Sequence, residues 1–246
     1  MPLEKIPAIL LIVFGFNMTY RAPAPPPPKD KRRTESDAIE ISWLEQIPKV
    51  SDWLLPPKHT PNKPSAKAAC YLYAIIELCI ILGGMRSNEF AARLLPDGKN
   101  PDCIRLTPTT ACATLLVVLG SLLRYWCFRE MGRHFTIHVT LVKDHKLITT
   151  GPYGIVRHPS YTGVIFMLVG KGIWYGARGS WLRESMVYQM KASWLVISPV
   201  IFIVPLVFVM ILRRVPAEDA MLKREFGKEW DRWAKEVPYR LFPGII

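Results

Sequence analysis

The feature that most limits what this chain can become is the gathering of its apolar residues into five blocks, 6–20, 68–84, 108–128, 160–175 and 194–212. They follow neither the alternation of a strand nor the one-sided stripe of an amphipathic helix. A bilayer core about 30 Å thick takes roughly 20 apolar residues in helical form. The third and fifth blocks reach that length, the second and fourth approach it, and the first is short. Half of the 246 residues are hydrophobic. The expected fold is therefore an all-α polytopic membrane protein with about five transmembrane helices.

A net charge of +12 would suit a nucleic-acid binder, but the basic residues fall between the apolar blocks. With the C-terminus in the cytosol and five alternating spans, 22 Lys and Arg lie on the cytosolic side and eight on the other. That is the asymmetry of the positive-inside rule. Anionic lipid is the expected partner of this charge, and nucleic acid is not. The five cysteines, at 70, 79, 103, 112 and 127, form no CxxC pair and read as buried free thiols. His134 and His138 stand four residues apart, but residues 129–150 read as a cytosolic loop with short extended pieces rather than a helix, so no metal is expected.

Residues 1–20 read as a retained first span, since 14–20 offers no good cleavage site for a signal peptide. Residues 21–67 form a cytosolic proline-rich connector, with a surface helix expected around 37–46. Residues 68–246 form one membrane domain, with spans near 68–84, 108–128, 160–175 and 194–212 and a cytosolic amphipathic helix at 216–236. Within it, Glu77 lies at mid-bilayer depth and must be paired, protonated or facing water. Arg124, one turn from the cytosolic end of its span, can snorkel to the headgroups or pair with Glu77. Gly163, Gly170, Gly172 and Gly176 suggest close helix packing in the fourth span.

The stretch GPYGIVRHPSYTG, residues 151–163, is the expected wall of a site. Pro159 suits the first turn of a helix and pushes His158 out of helical geometry. The first N–H groups of that helix would favour an anion. A second stretch begins RRVPAED at Arg213, where Pro216 is expected to open a new helix. Leu222, Phe226, Trp230, Trp233 and Val237 then recur along one helical face. Glu218 shares that face, whereas Asp219 reads as an ordinary acid of a first helical turn. Gly227 would sit inside the helix for a packing reason.

Taken in order and spacing, HKLITTGPYGIVRHPSYTG and RRVPAEDAMLKREFGKEWDRW closely resemble the isoprenylcysteine carboxyl methyltransferase family, over residues 108–243. Its members are multi-span enzymes of the endoplasmic reticulum that use S-adenosyl-L-methionine. They methylate the C-terminal prenylcysteine of processed CaaX proteins. This chain carries Glu218-Asp219 where the family commonly shows two glutamates, and Trp230 and Trp233 where it commonly shows tyrosines. The resemblance assigns His145, Lys146, Leu147, Ile148, Tyr153, His158, Pro159, Ser160, Tyr161 and Glu218 to the cofactor, with Thr140 near a further polar contact. It gives Arg124 and Arg214 to the substrate carboxylate, and these two with Glu218 to catalysis. The substrate would be a prenylated C-terminal cysteine held beside lipid, and the C-terminus and active site would face the cytosol. The alternatives are a phospholipid or other small-amphiphile methyltransferase, a sterol-reductase-like enzyme suggested by the ending VPYRLFPGII, and a non-catalytic membrane scaffold.

Overall fold

The computed structural model describes residues 2–20, 66–86, 95, 100–135, 146–185 and 194–245. These residues form α1 (Lys5–Tyr20), α2 (Ala66–Arg86), α3 (Pro108–Met131), α4 (Pro159–Gly176), the short α5 (Trp181–Glu184), α6 (Trp194–Phe226) and α7 (Lys228–Glu236). Single 3-10 turns stand between several of them. Residues 21–65 of the expected connector, with its surface helix, and His138, Thr140 and His145 lie outside the described residues.

The protein is an all-α, multi-pass membrane protein. Three described helices hold stretches long and apolar enough to cross a bilayer: Pro2–Thr19 around α1, Ala68–Met85 in α2, and Pro108–Met131, which is α3. Their outer faces expose large apolar side chains, among them Leu10, Phe14, Leu72, Leu82, Leu119 and Leu122. Such faces suit contact with lipid tails.

The centre of the bundle is the α3–α4 pair, against which α1 also packs. Helix α3 starts on a capping box. Thr107 accepts from the Thr110 N–H at 3.2 Å, while the Thr110 hydroxyl accepts from the Thr107 N–H at 2.8 Å. Close approach of α3 and α4 depends on glycine. A Cβ on Gly120 would stand 2.6 Å from the Gly163 carbonyl oxygen, and one on Gly170 would stand 2.8 Å from that of Ala113. Gly172 and Gly176 have open space around them, so only the first two of the four glycines in α4 serve this packing.

Four expectations are corrected here. Glu77 is buried, as a mid-membrane carboxylate paired inside a bundle must be, but its partner is Lys5 at 2.7 Å, not Arg124. It also accepts from the Tyr73 hydroxyl at 2.9 Å and from the Trp181 N–H at 2.8 Å. These partners converge because α1, α2 and the turn before α5 meet at that level. Cys70 and Cys127 are buried free thiols, but Cys79 and Cys112 are exposed on outer faces.

The third correction is that α6 does not start afresh at Pro216; it runs unbroken from Trp194 to Phe226. Pro216 is exposed, while Val215 and Asp219 on either side are 3% and 5% exposed. The ring thus sits on the outer face, where the carbonyl it frees can be solvated. The break comes instead at Gly227, whose φ of 50° suits glycine and which separates α6 from α7. Nothing stands within 4 Å of where its Cβ would be, so its reason is conformational rather than packing. Hence, fourth, the stripe from Leu222 to Val237 is not one helical face.

Candidate active site

Between α3 and α4 the chain returns through Lys146 to His158. Gly151, at φ 59°, opens a 3-10 turn over Gly151–Gly154. A Cβ there would meet the Glu130 side chain at 2.8 Å. The same Glu130 accepts from the Thr150 hydroxyl at 3.1 Å, pinning the turn to the end of α3. Pro152 and Tyr153 are buried. Tyr153 packs with Cys127, Trp233 and Val237, and the half-buried Leu147 and Ile148 pack against that group. The Trp233 indole donates to the Tyr153 carbonyl at 3.2 Å, which brings α7 under the loop. Burial pushes the Tyr153 hydroxyl well above its ordinary pKa, with the Cys127 thiol and Glu218 acting in the same direction.

Pro159 opens α4, with His158 at its N-cap in a non-helical conformation. The N–H groups of Arg157 and His158 donate to the carbonyls of Tyr239 and Arg240, at 2.9 and 2.8 Å. The Thr162 hydroxyl donates to the Leu241 carbonyl at 2.6 Å. The segment after α7 therefore packs against the chain as it enters this helix.

The side chains converge from three helices. From α4, the Tyr161 hydroxyl donates to Glu218 Oε2 at 2.7 Å. From α3, Arg124 Nη1 donates to the Ser160 hydroxyl and carbonyl, at 3.1 and 3.3 Å. From α6, the Arg214 guanidinium lies 5.8 Å from the Tyr161 ring centre. The His158 and Tyr161 rings stack 5.8 Å apart. One carboxylate and two guanidiniums thus stand around a single tyrosine. All four side chains are half-buried, which strengthens their fields while leaving them reachable.

The structure therefore brings together Arg124, Tyr153, His158, Pro159, Ser160, Tyr161, Arg214 and Glu218. Leu147 and Ile148 sit at the edge of the group, and Lys146 is exposed. Asp219 is the residue whose part the sequence did not reveal. It is 5% exposed rather than solvated. His158 Nε2 donates to its Oδ1 at 2.9 Å, with Arg240 Nε and Arg157 Nη2 at 3.3 and 3.6 Å from Oδ2. Burial lowers the pKa of the Arg157 guanidinium, and Asp219 opposes that shift. The one advance sign of this role was its place beside Glu218 in a pair that aligns with two family glutamates.

A second polar group lies away from this region, in a small cavity lined by Tyr73, Glu77, Lys171 and Tyr175. Its carboxylate is already committed to Lys5, and the Lys171 ammonium rests 3.5 Å from the Phe16 ring centre.

Residues 113–224 match the sequence model of the isoprenylcysteine carboxyl methyltransferase family. Protein-S-isoprenylcysteine O-methyltransferase B of Arabidopsis thaliana is 32% identical over 125 residues, 50% of this chain and 54% of the relative. The protein-S-isoprenylcysteine O-methyltransferase of Schizosaccharomyces pombe is 31% identical over 123 residues, 49% of this chain and 44% of the relative. The 7-dehydrocholesterol reductase of Danio rerio is 26% identical over 105 residues, but these are only 18% of its length. The chain spans about half the length of the curated methyltransferases it matches.

Proposed function

The chain belongs to the isoprenylcysteine carboxyl methyltransferase family, and from that premise we propose that it methylates the C-terminal isoprenylcysteine α-carboxylate of processed CaaX proteins. The observation that carries this reading is that Arg124, bonded to Ser160, and Arg214, beside the Tyr161 ring, come from different helices to the neighbourhood of the Tyr161–Glu218 pair. A site for an amine acceptor would have little use for two guanidiniums.

The residues fit S-adenosyl-L-methionine. Half-buried Glu218 offers acceptor oxygens for its polar groups, and Tyr153, His158 and Tyr161 offer rings for its flat ones. Lys146, Leu147 and Ile148 line the approach, with Pro159 and Ser160 at the helix mouth and His145 just before them in the chain. When bound, the cofactor supplies a methyl group made electrophilic by a sulfonium. The rest of the chemistry falls to the protein. An α-carboxylate has an ordinary pKa of about 3.5 and is ionised at neutral pH, so no general base is required. A guanidinium grips a carboxylate through two parallel hydrogen bonds and so aims it. Arg124 and Arg214 would hold the acceptor this way, in a site dry enough to strip water from the nucleophile. Negative charge on the acceptor is lost as the methyl transfers, so orientation counts for more than strength of attraction.

This reading carries an arrangement of five spans, with α4 and α6 joining the three apolar helices. The connector at 21–67, the active site and the helix at 216–236 then face the cytosol, in the endoplasmic reticulum membrane. Residues 68–246 would be the methyltransferase domain, and the prenyl tail would reach the site sideways from lipid.

The test is transfer of labelled methyl from S-adenosylmethionine in membranes, offered to a farnesylcysteine analogue and, separately, to an amine-headed phospholipid. Label on the cysteine analogue alone is the expected result. Label on the phospholipid alone would replace the proposed acceptor, and NADPH binding without methyl transfer would favour a reductase.

A further inference from the structure

The polar cluster at the base of α4 extends past the residues assigned above to cofactor and substrate. Asp219 is 5% exposed, and it is held by His158, Arg157 and Arg240. Arg240 belongs to the segment following α7, whose Tyr239, Arg240 and Leu241 carbonyls accept from the backbone of Arg157 and His158 and from the Thr162 hydroxyl. Leu241 is 1% exposed, within the apolar cluster of Ile165, Val207, Ile211 and Val215. The segment is thus fixed on both sides of the arginine it contributes.

We propose that Asp219 is a positioning residue acting through His158, and that residues 238–241, clamped by Arg240, form part of the cofactor cleft. The proposal rests on reading His158 and Tyr161 as walls of that cleft. An ionised carboxylate only accepts hydrogen bonds, so His158 Nε2 must carry the hydrogen. That choice fixes the ring's orientation, in stack with Tyr161, and makes Nδ1 the acceptor nitrogen of the neutral ring. Arg157 and Arg240 hold the other carboxylate oxygen, so Asp219 cannot turn without breaking both ion pairs. Replacing the carboxylate by an amide leaves two guanidiniums near each other without the anion that orders them.

Fold maintenance alone is the competing explanation, and binding measurements on the full-length chain in lipid nanodiscs separate the two. Calorimetric affinity for S-adenosylmethionine would be measured for the wild type, Asp219→Asn, Asp219→Glu, Arg240→Gln and the Asn/Gln double variant, each with its thermal midpoint. Asp219→Asn should weaken binding roughly tenfold or more, the scale of leaving buried polar groups unmatched. Asp219→Glu, which keeps the charge, should restore most of the affinity. The double variant should bind no worse than the weaker single one, because both break the same clamp. In methyl transfer the loss should appear in the KM for the cofactor and not in that for the prenylcysteine acceptor.

Arg240 is 43% exposed in its side chain, so its substitution tests the clamp even if Asp219→Asn fails to fold. Wild-type affinity in Arg240→Gln would overturn the proposal, as would equal losses in Asp219→Asn and Asp219→Glu at unchanged thermal midpoints. A wild-type protein that binds no S-adenosylmethionine would instead overturn the cleft reading, and this inference with it.

Discussion

Glu218 and Asp219 are neighbours on α6, yet successive helical residues point roughly 100° apart, and the two carboxylates meet different partners. Glu218 takes the Tyr161 hydroxyl on the side shared with Arg214 and Arg124; Asp219 takes His158 and two guanidiniums behind it. Removing Glu218 should therefore damage the site directly. Glu218→Ala and Arg214→Ala are each expected to abolish methylation of a farnesylcysteine analogue while the protein still inserts into membranes. Full activity in either variant would take that residue out of the mechanism. His158→Ala should chiefly weaken cofactor binding, read by titration with S-adenosylmethionine, and unchanged affinity would count against its place in the cleft. The stripe of apolar residues singled out Glu218 by its helical phase. It could not show that Asp219 is buried, because what covers Asp219 is Arg157, His158 and Arg240, from distant parts of the chain.

At the scale of elements, the crossing of α3 and α4 sets where Arg124 meets Ser160. A Cβ on Gly163 would stand 2.7 Å from both Arg124 Cγ and the Gly120 carbonyl oxygen. The carbonyl is backbone and cannot swing aside, so the helices themselves must separate. Gly163→Ala should cost about 1–3 kcal/mol in overpacking and reduce methyl transfer. Gly172→Ala, with open space around the site, should leave both unfolding and activity near wild type. Equal effects of the two would refute this account of the crossing. Gly227 is a different case, since its φ of 50° is what ends α6. Gly227→Ala should destabilise the α6–α7 junction by about 1–3 kcal/mol, visible as faster amide exchange in α7. Periodicity carried the apolar stripe straight through this glycine, because a turn in backbone direction leaves no mark on hydrophobic spacing.

Across the whole molecule, a buried charge pair ties α1 to α2, beside the packing of α1 against α3. Lys5 and Glu77 are both 0% exposed, and Lys5 also donates to the Gly179 carbonyl at 2.7 Å. Breaking such a pair from one side leaves a charge without its counterpart, at a cost of about 3–5 kcal/mol. Lys5→Met should lower the thermal midpoint in detergent sharply, whereas Lys5→Met combined with Glu77→Leu should recover much of the loss. A double variant as unstable as the single one would show that the ion pair itself, rather than the stranded carboxylate, stabilises the bundle.

The sequence by itself determined that this chain is an all-α membrane protein, because continuous apolar blocks of this length cross lipid as helices and such blocks are local in the chain. It also marked the two stretches whose side chains meet at the base of α4, since their glycines, prolines and charges interrupt those blocks at defined points. Which charges meet was left to the tertiary structure: Lys5 with Glu77, Arg124 with Ser160, Asp219 with His158 and Arg240. Each of these pairs lies 36 or more residues apart except Asp219 with Arg240, and that one also depends on the break at Gly227. Apolar character is a property of each residue alone, whereas an ion pair exists only once the helices have chosen their depth and crossing.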